Sequence, residues 1–202
     1  MHSLTIAVTV FALIVPAELP DKTFVATLVL ATRFRGLPVL IGATAGFVVQ
    51  AGIAVGAGSA LALLPTTPVK AVSAAIFALG AVLMLRPLES PAEEEREVEA
   101  ELADVPAEPS TWRVILTSFL VLFLAEWGDL TQLLTASLSA KYHAPLAVFA
   151  GSALGLSTVG ALGVVGGKAL LRVIPMVWVR RIAAAAFLVV AVVTALQAAR
   201  VL

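Results

Sequence analysis

The chain has 202 residues, 60% hydrophobic and 13% charged, with a formal net charge of +0 and a mean hydropathy of +1.04. Soluble domains average about 25% charged residues, so this composition excludes an ordinary soluble domain and specifies a membrane protein. Without cysteine, a disulfide framework and a thiolate metal site are excluded too.

A bilayer core of ~30 Å takes about 20 apolar residues per helix. Six segments meet that requirement: 4–32, 37–64, 69–86, 112–140, 145–171 and 177–199. Transmembrane barrels carry short alternating segments instead. The expectation is an all-α membrane protein with six transmembrane helices.

The first segment holds Glu18 and Asp21 within PAELPDKT. It lacks a basic leader and a small-residue cleavage signature, so it is expected to stay as a helix rather than leave as a signal peptide. The second is rich in glycine (Gly42, Gly46, Gly52, Gly56 and Gly58), at spacings that let helix backbones approach closely. Nine of the thirteen acidic residues then fall between Glu89 and Glu108. Blocks of like charge are usually solvated, so a flexible tether is the simplest expectation, although AEEEREVEAELADV has the makings of a short helix. A sharper idea is an antenna that concentrates cations at the inner mouth. The fourth segment carries Glu126 and Asp129 within LAEWGDLT, and the fifth is again glycine-rich, from Gly151 to Gly167. Trp112, Tyr142 and Trp178 stand near helix ends, where interfacial anchoring is the ordinary role.

The two acidic motifs belong to an internal repeat. Phe11 through Thr23 aligns without a gap on Phe119 through Thr131; Gly42 to Gly46 matches Gly151 to Gly155; Val69, Lys70 and Phe77 match Val179, Arg180 and Phe187. The expected domains are a first three-helix repeat at 1–86, an acidic linker at 87–111 and a second three-helix repeat at 112–202. An odd number of helices per repeat makes the halves enter the membrane from opposite sides, so the repeats should be inverted. Secondary transporters with that architecture bind substrate where the repeats meet. One side collects Arg33, Arg35, Arg86, Arg96, Arg113, Lys168, Arg172, Arg180 and Arg181, against Lys70, Lys141 and Arg200 on the other. The positive-inside rule then places the linker in the cytoplasm and both termini outside.

An acidic residue at a helix centre costs roughly 3 kcal/mol on insertion scales, and four of them cost on the order of 10 kcal/mol. Residues three apart share a helix face, so each Glu and Asp should point one way. The only positive charge close by in sequence is Lys22. A proton, a metal ion, or both in turn must supply the rest. Four carboxylates make an oxygen-rich cage for a hard divalent cation such as Ca²⁺ or Mn²⁺, with Thr23, Thr131 and Gln132 as neutral oxygen ligands. His2 and His143 lie outside the core, which disfavours zinc or copper. When the cation leaves, burial and mutual repulsion favour protonation, so one set of groups serves both ions in competition. A purely structural role, pairing with Lys22 or capping helix breaks, leaves the repetition unexplained. A proton relay without metal is the other plain reading.

ELPDKT and EWGDLTQ resemble the paired Glu-x-Gly-Asp-(Lys/Arg)-(Thr/Ser) signatures of the Gdt-one family of calcium/manganese:proton antiporters. The resemblance covers essentially the whole chain. It implies that Glu18, Asp21 and Thr23 from the first signature, and Glu126, Asp129, Thr131 and Gln132 from the second, form the metal site. Two positions depart from the pattern. Pro20 replaces the usual glycine and should kink the first helix, and Leu130 replaces the usual base. The function expected is exchange of Mn²⁺ or Ca²⁺ for protons, with export of the cation from the cytoplasm. No permanently bound cofactor and no enzymatic activity are expected.

The expected partners are the lipid bilayer and the transported cation, with no nucleic acid, in a bacterial inner membrane. Six helices suffice to enclose one site, so a monomer is adequate and a homo-oligomer is not required. A proton-coupled solute exporter of the lysine-exporter type is the nearest alternative, but Phe24, Phe123 and Trp127 make a poor organic pocket. A non-transporting membrane assembly protein is the alternative of another class.

Overall fold

Backbone in lipid must satisfy its own hydrogen bonds, which leaves helices for a chain this apolar. The computed structural model describes residues 3–19, 21–86, 91–103, 105–106, 109–173 and 176–199. Among them the regular structure is entirely helical: α1 (Ser3–Glu18), α2 (Lys22–Arg33), α3 (Gly36–Leu61), α4 (Thr66–Leu85), α5 (Pro91–Glu101), α6 (Thr111–Ala125), α7 (Leu130–Tyr142), α8 (Pro145–Val173) and α9 (Met176–Ala198).

Helices α3, α4, α8 and α9 are each long and apolar enough to cross a membrane. The other two expected spans are broken. α1 meets α2 at 71° and α6 meets α7 at 73°, so the described residues hold four helices able to cross a membrane by length and composition, or up to six if each bent pair counts as one span. Both breaks fall inside the acidic motifs. In the first, Pro16 lies in the last turn of α1 and removes a backbone donor there. In the second, Gly128 turns the chain at φ +75°, a conformation that favours glycine because it has no Cβ. The expected kink at Pro20 falls on a residue outside those described.

The broken helices are held by the two glycine-rich ones. α3 packs against α6 and α7, α8 packs against α1 and α2, and α3 and α8 also meet each other. The glycines are what permits this approach. A Cβ on Gly42 would run into the carbonyl of Ile115, and one on Gly58 into the carbonyl of Ala136. On α8, Gly151 lies over the Ala7 carbonyl and Gly163 over Thr27 and the Phe24 carbonyl. Gly56 faces open space, so not every glycine serves packing.

Helices α4 and α9 pack along each other to one side. Their seam contains Phe77 and Phe187, fully buried, with ring centroids 6.3 Å apart.

The linker departs from a free tether. Its acidic run forms α5, which packs on α2 with Val98 and Leu102 buried, and Arg33 donates a hydrogen bond to the Val105 carbonyl at 2.9 Å. Three apolar residues among the acids (Val98, Leu102 and Val105) give the segment a face to bury, which its charge count conceals.

Candidate metal centre

Each Glu-x-x-Asp motif straddles a helix break. Glu18 is the last residue of α1 and Asp21 the N-cap of α2; Glu126 is the C-cap of α6 and Asp129 the N-cap of α7. The expected common helix face is therefore absent, because no continuous helix joins the two acids of a pair. The breaks instead bring two helix C-termini and two helix N-termini to the site. Carbonyl ends favour a cation and amide ends steady the carboxylates, an arrangement suited to ion binding in lipid.

Burial is severe. Glu18 is 0% and Glu126 2% exposed, while Asp21 and Asp129 are half-buried. One oxygen from each of Glu18, Glu126 and Asp129 lies within 4.8 Å of the other two. Oxygens around a single ion with bonds of about 2.0–2.6 Å are separated by up to ~5 Å, so the trio fits one hard cation. Asp21 lies outside the trio and interacts electrostatically with Asp129, Lys22 and Arg180.

The hydroxyls serve the two glutamates unequally. Thr23 donates to Glu126 Oε1 at 2.5 Å, and Thr131 stands 3.2 Å from Glu126 Oε2 and 3.3 Å from Asp129 Oδ2. The Thr131 backbone N–H also donates to Asp129 Oδ2, at 3.3 Å, which caps α7. Both oxygens of Glu18 are buried without a hydrogen-bond partner. A buried carboxylate left that way costs several kcal/mol if ionised, so this position demands a proton or a cation.

Gln132, expected as a ligand beside the acids, instead turns its amide to Gln50 and to the Gly128 backbone. Its amide donates to Gln50 Oε1 at 2.5 Å, and its own oxygen accepts the Gly128 N–H at 2.9 Å. Gln50, Glu126, Thr131, Gln132, Thr135 and Leu156 line one small cavity. Leu130 packs toward Gly80 of α4. Phe24 is buried; Phe119 and Phe123 stack on α6 with ring centroids 5.5 Å apart, and Trp127, just past its end, tilts against Phe123 at 5.3 Å.

Two residues escaped the sequence reading. Gln50 is 2% exposed and is a lone amide in an apolar segment, which was a usable signal. Arg180 entered only as a basic residue of the cytoplasmic side and as the counterpart of Lys70. Its guanidinium donates to the carbonyls of Met84 at 2.8 Å, Leu83 at 3.0 Å and Arg86 at 2.5 Å, and its charge reaches Asp21. The first acidic pair thus receives positive charge from the other half of the chain, which no local reading reveals.

Apolar helices broken at buried carboxylates, with hard-cation spacing between the acids, define an integral membrane protein of the ion-transporter class. The family model for the divalent cation/proton antiporter GDT1 matches residues 6–92 and 114–201, and the chain belongs to that family. It is 33% identical over 165 residues to a GDT1-like protein from Synechocystis sp., covering 77% of this chain and 80% of the relative. A protein from Vibrio cholerae, provisionally named a manganese exporter, is 30% identical over 198 residues, covering 96% of this chain and 91% of the relative. The chloroplastic PAM71-homolog of Arabidopsis thaliana is 28% identical over 206 residues, which cover 91% of this chain and 57% of that longer protein. No solved structure matches the chain.

Proposed function

We propose that this antiporter exports Mn²⁺ or Ca²⁺ from the cytoplasm in exchange for protons, with Glu18, Glu126 and Asp129 as the core of the cation site. The observation that carries the reading is the unpartnered, fully buried Glu18 carboxylate within 4.8 Å of the other two acids. Asp21 adds charge beside the trio, and Thr23 and Thr131 set the rotamers of the acids. Gln132 stands at the edge of the site, its amide engaged by Gln50 and the Gly128 N–H. The name of the Vibrio cholerae relative favours Mn²⁺.

In the proposed cycle the cation enters from the cytoplasm and binds to ionised carboxylates. The halves then rock, protons from outside displace the cation, and the protonated site returns. The same acids are ligands in one step and proton carriers in the other.

Two repeats at 1–86 and 112–202, inverted about the 87–111 linker, make this alternation between equivalent states natural. Reciprocal packing supports the inversion: α3 lies on α6 and α7 as α8 lies on α1 and α2. Both termini are assigned to the outside of a bacterial inner membrane and the linker to the cytoplasm, from the distribution of basic residues. The lipid bilayer and the transported ions are the partners this activity requires, and it needs no permanently bound cofactor.

Purified protein in proteoliposomes tests the reading. A pH gradient should drive Mn²⁺ or radiolabelled Ca²⁺ flux, and Glu18→Gln or Asp129→Asn should reduce it at least tenfold. Full flux in both variants would sink the proposed site.

A further inference from the structure

Breaking a helix strands backbone groups, and the two breaks meet that need differently. At the α6–α7 break, the Phe123 carbonyl accepts the Gln50 Nε2–H at 2.5 Å. Gln50 Oε1 accepts from Gln132 Nε2 at 2.5 Å, and Gln132 Oε1 accepts the Gly128 N–H at 2.9 Å. Two side chains on two helices therefore form one relay from the carbonyl before Glu126 to the amide between Glu126 and Asp129. Both atoms of each amide head are used in it, so neither can leave without stranding the other.

The repeat offers no such relay at the first break. Val159 stands opposite Gln50 and Phe24 opposite Gln132, both apolar and fully buried. Pro20 stands opposite Gly128, and a proline has no N–H for a glutamine to accept. Among the described residues, this amide relay is found only at the break that supplies Glu126 and Asp129, two of the three carboxylates gathered there.

Resting on the functional reading above, we propose that Gln50 is a positioning residue: through Gln132 it locks the α6–α7 break so that Glu126 and Asp129 are preset for the cation. The cation then completes its shell by drawing in Glu18 from the α1–α2 break, which has no equivalent lock. Gln50 touches the backbone and Gln132 rather than the ion, so its effect is on affinity and not on the transport step.

The test compares wild type, Gln50→Met, Gln132→Met and the double variant in proteoliposomes under a pH gradient, with Mn²⁺ as the probe. Methionine keeps the length and flexibility of glutamine while removing its hydrogen bonds. Gln50→Met should raise the half-saturating Mn²⁺ concentration about tenfold, the effect of one lost buried hydrogen bond, with maximal flux within about twofold. The double variant should be no worse than either single one, because both remove the same relay. Trp127 lies in the break, 59% exposed and 5.3 Å from the Phe123 ring. With Trp112 and Trp178 replaced by phenylalanine, its fluorescence anisotropy should fall in Gln50→Met and recover at saturating Ca²⁺.

An unchanged half-saturation in both single variants overturns the proposal, as does a fall in maximal flux at unchanged half-saturation. A much larger loss in Gln132→Met than in Gln50→Met also overturns it, since Gln132 would then be holding the ion itself. Should Gln50→Met fail to fold, Gln132→Met reads the same relay from its other side. A wild type that moves no divalent cation defeats the functional reading itself, an outcome distinct from all of these.

Discussion

Thr23 of the first half hydrogen-bonds Glu126 of the second across 2.5 Å, and both are buried. The two signatures, more than a hundred positions apart in the chain, therefore meet in one buried cluster. Glu126 accepts hydrogen bonds from the threonines of both signatures, while neither Glu18 oxygen has a hydrogen-bond partner.

Thr23→Val keeps the shape of the side chain and removes its hydroxyl. A hydrogen bond to a charged group contributes about 1.5–3 kcal/mol, so ionised Glu126 should become harder to form and cation affinity should drop roughly ten- to a hundredfold. Thr23→Ser should stay within about threefold of wild type. Cation titration of the purified variants by calorimetry checks both.

Cation binding requires ionised carboxylates and releases the protons that occupied them. Lowering the pH should therefore raise the apparent dissociation constant for Mn²⁺, by up to about tenfold per pH unit for each proton displaced. The slope of its logarithm against pH counts those protons. A flat profile across the range in which transport is proton-driven would contradict shared occupancy of the acids.

Gly58 and Gly56 sit half a turn apart on α3 in opposite surroundings: a Cβ on Gly58 meets the Ala136 carbonyl and Ser139, while one on Gly56 meets nothing within 4 Å. Gly58→Ala should destabilise the bundle by about 1–3 kcal/mol through overpacking. Gly56→Ala should be neutral or slightly stabilising, since alanine is the better helix former. Thermal unfolding in detergent distinguishes them.

At Gly128 a Cβ also meets nothing, but φ is +75°. Gly128→Ala should therefore cost about 1–2 kcal/mol from backbone strain alone. Because the strained residue lies between Glu126 and Asp129, the loss should appear as weaker cation binding at nearly unchanged expression. Binding equal to wild type would show that this turn tolerates a side chain.

Composition and the spacing of apolar segments were enough to read the helical membrane class, and the doubled motif was enough to read the family. A kink was expected at Pro20 in the first motif, but the second break was not legible as a break. Glu-x-x-Asp in an apolar run satisfies helical spacing equally well whether the helix continues or stops, and the stop depends on Gly128 taking a left-handed turn and on tertiary partners for the freed carbonyls. Gln50 and Arg180 were hidden for a related reason. Each acts on the half of the site far from it in sequence; Gln50 has only Val159 as its counterpart in the alignment, and Arg180, matched to Lys70, showed in sequence as a basic residue with no acid nearby. The docking of α5 on α2 was obscured by its acids, which outnumber the few apolar residues that seat it.

Phe77 and Phe187 hold the same place in the two repeats, and their rings touch. A position that meets its own counterpart is what a symmetric dimer has at its axis. Between two identical subunits any substitution lands on both sides of such an axis at once, so an asymmetric improvement is out of reach. In a single joined chain each side changes alone. A lysine in one signature where the other has a leucine, and a glutamine lock at one break with valine at its aligned position, are differences that two identical subunits could not hold.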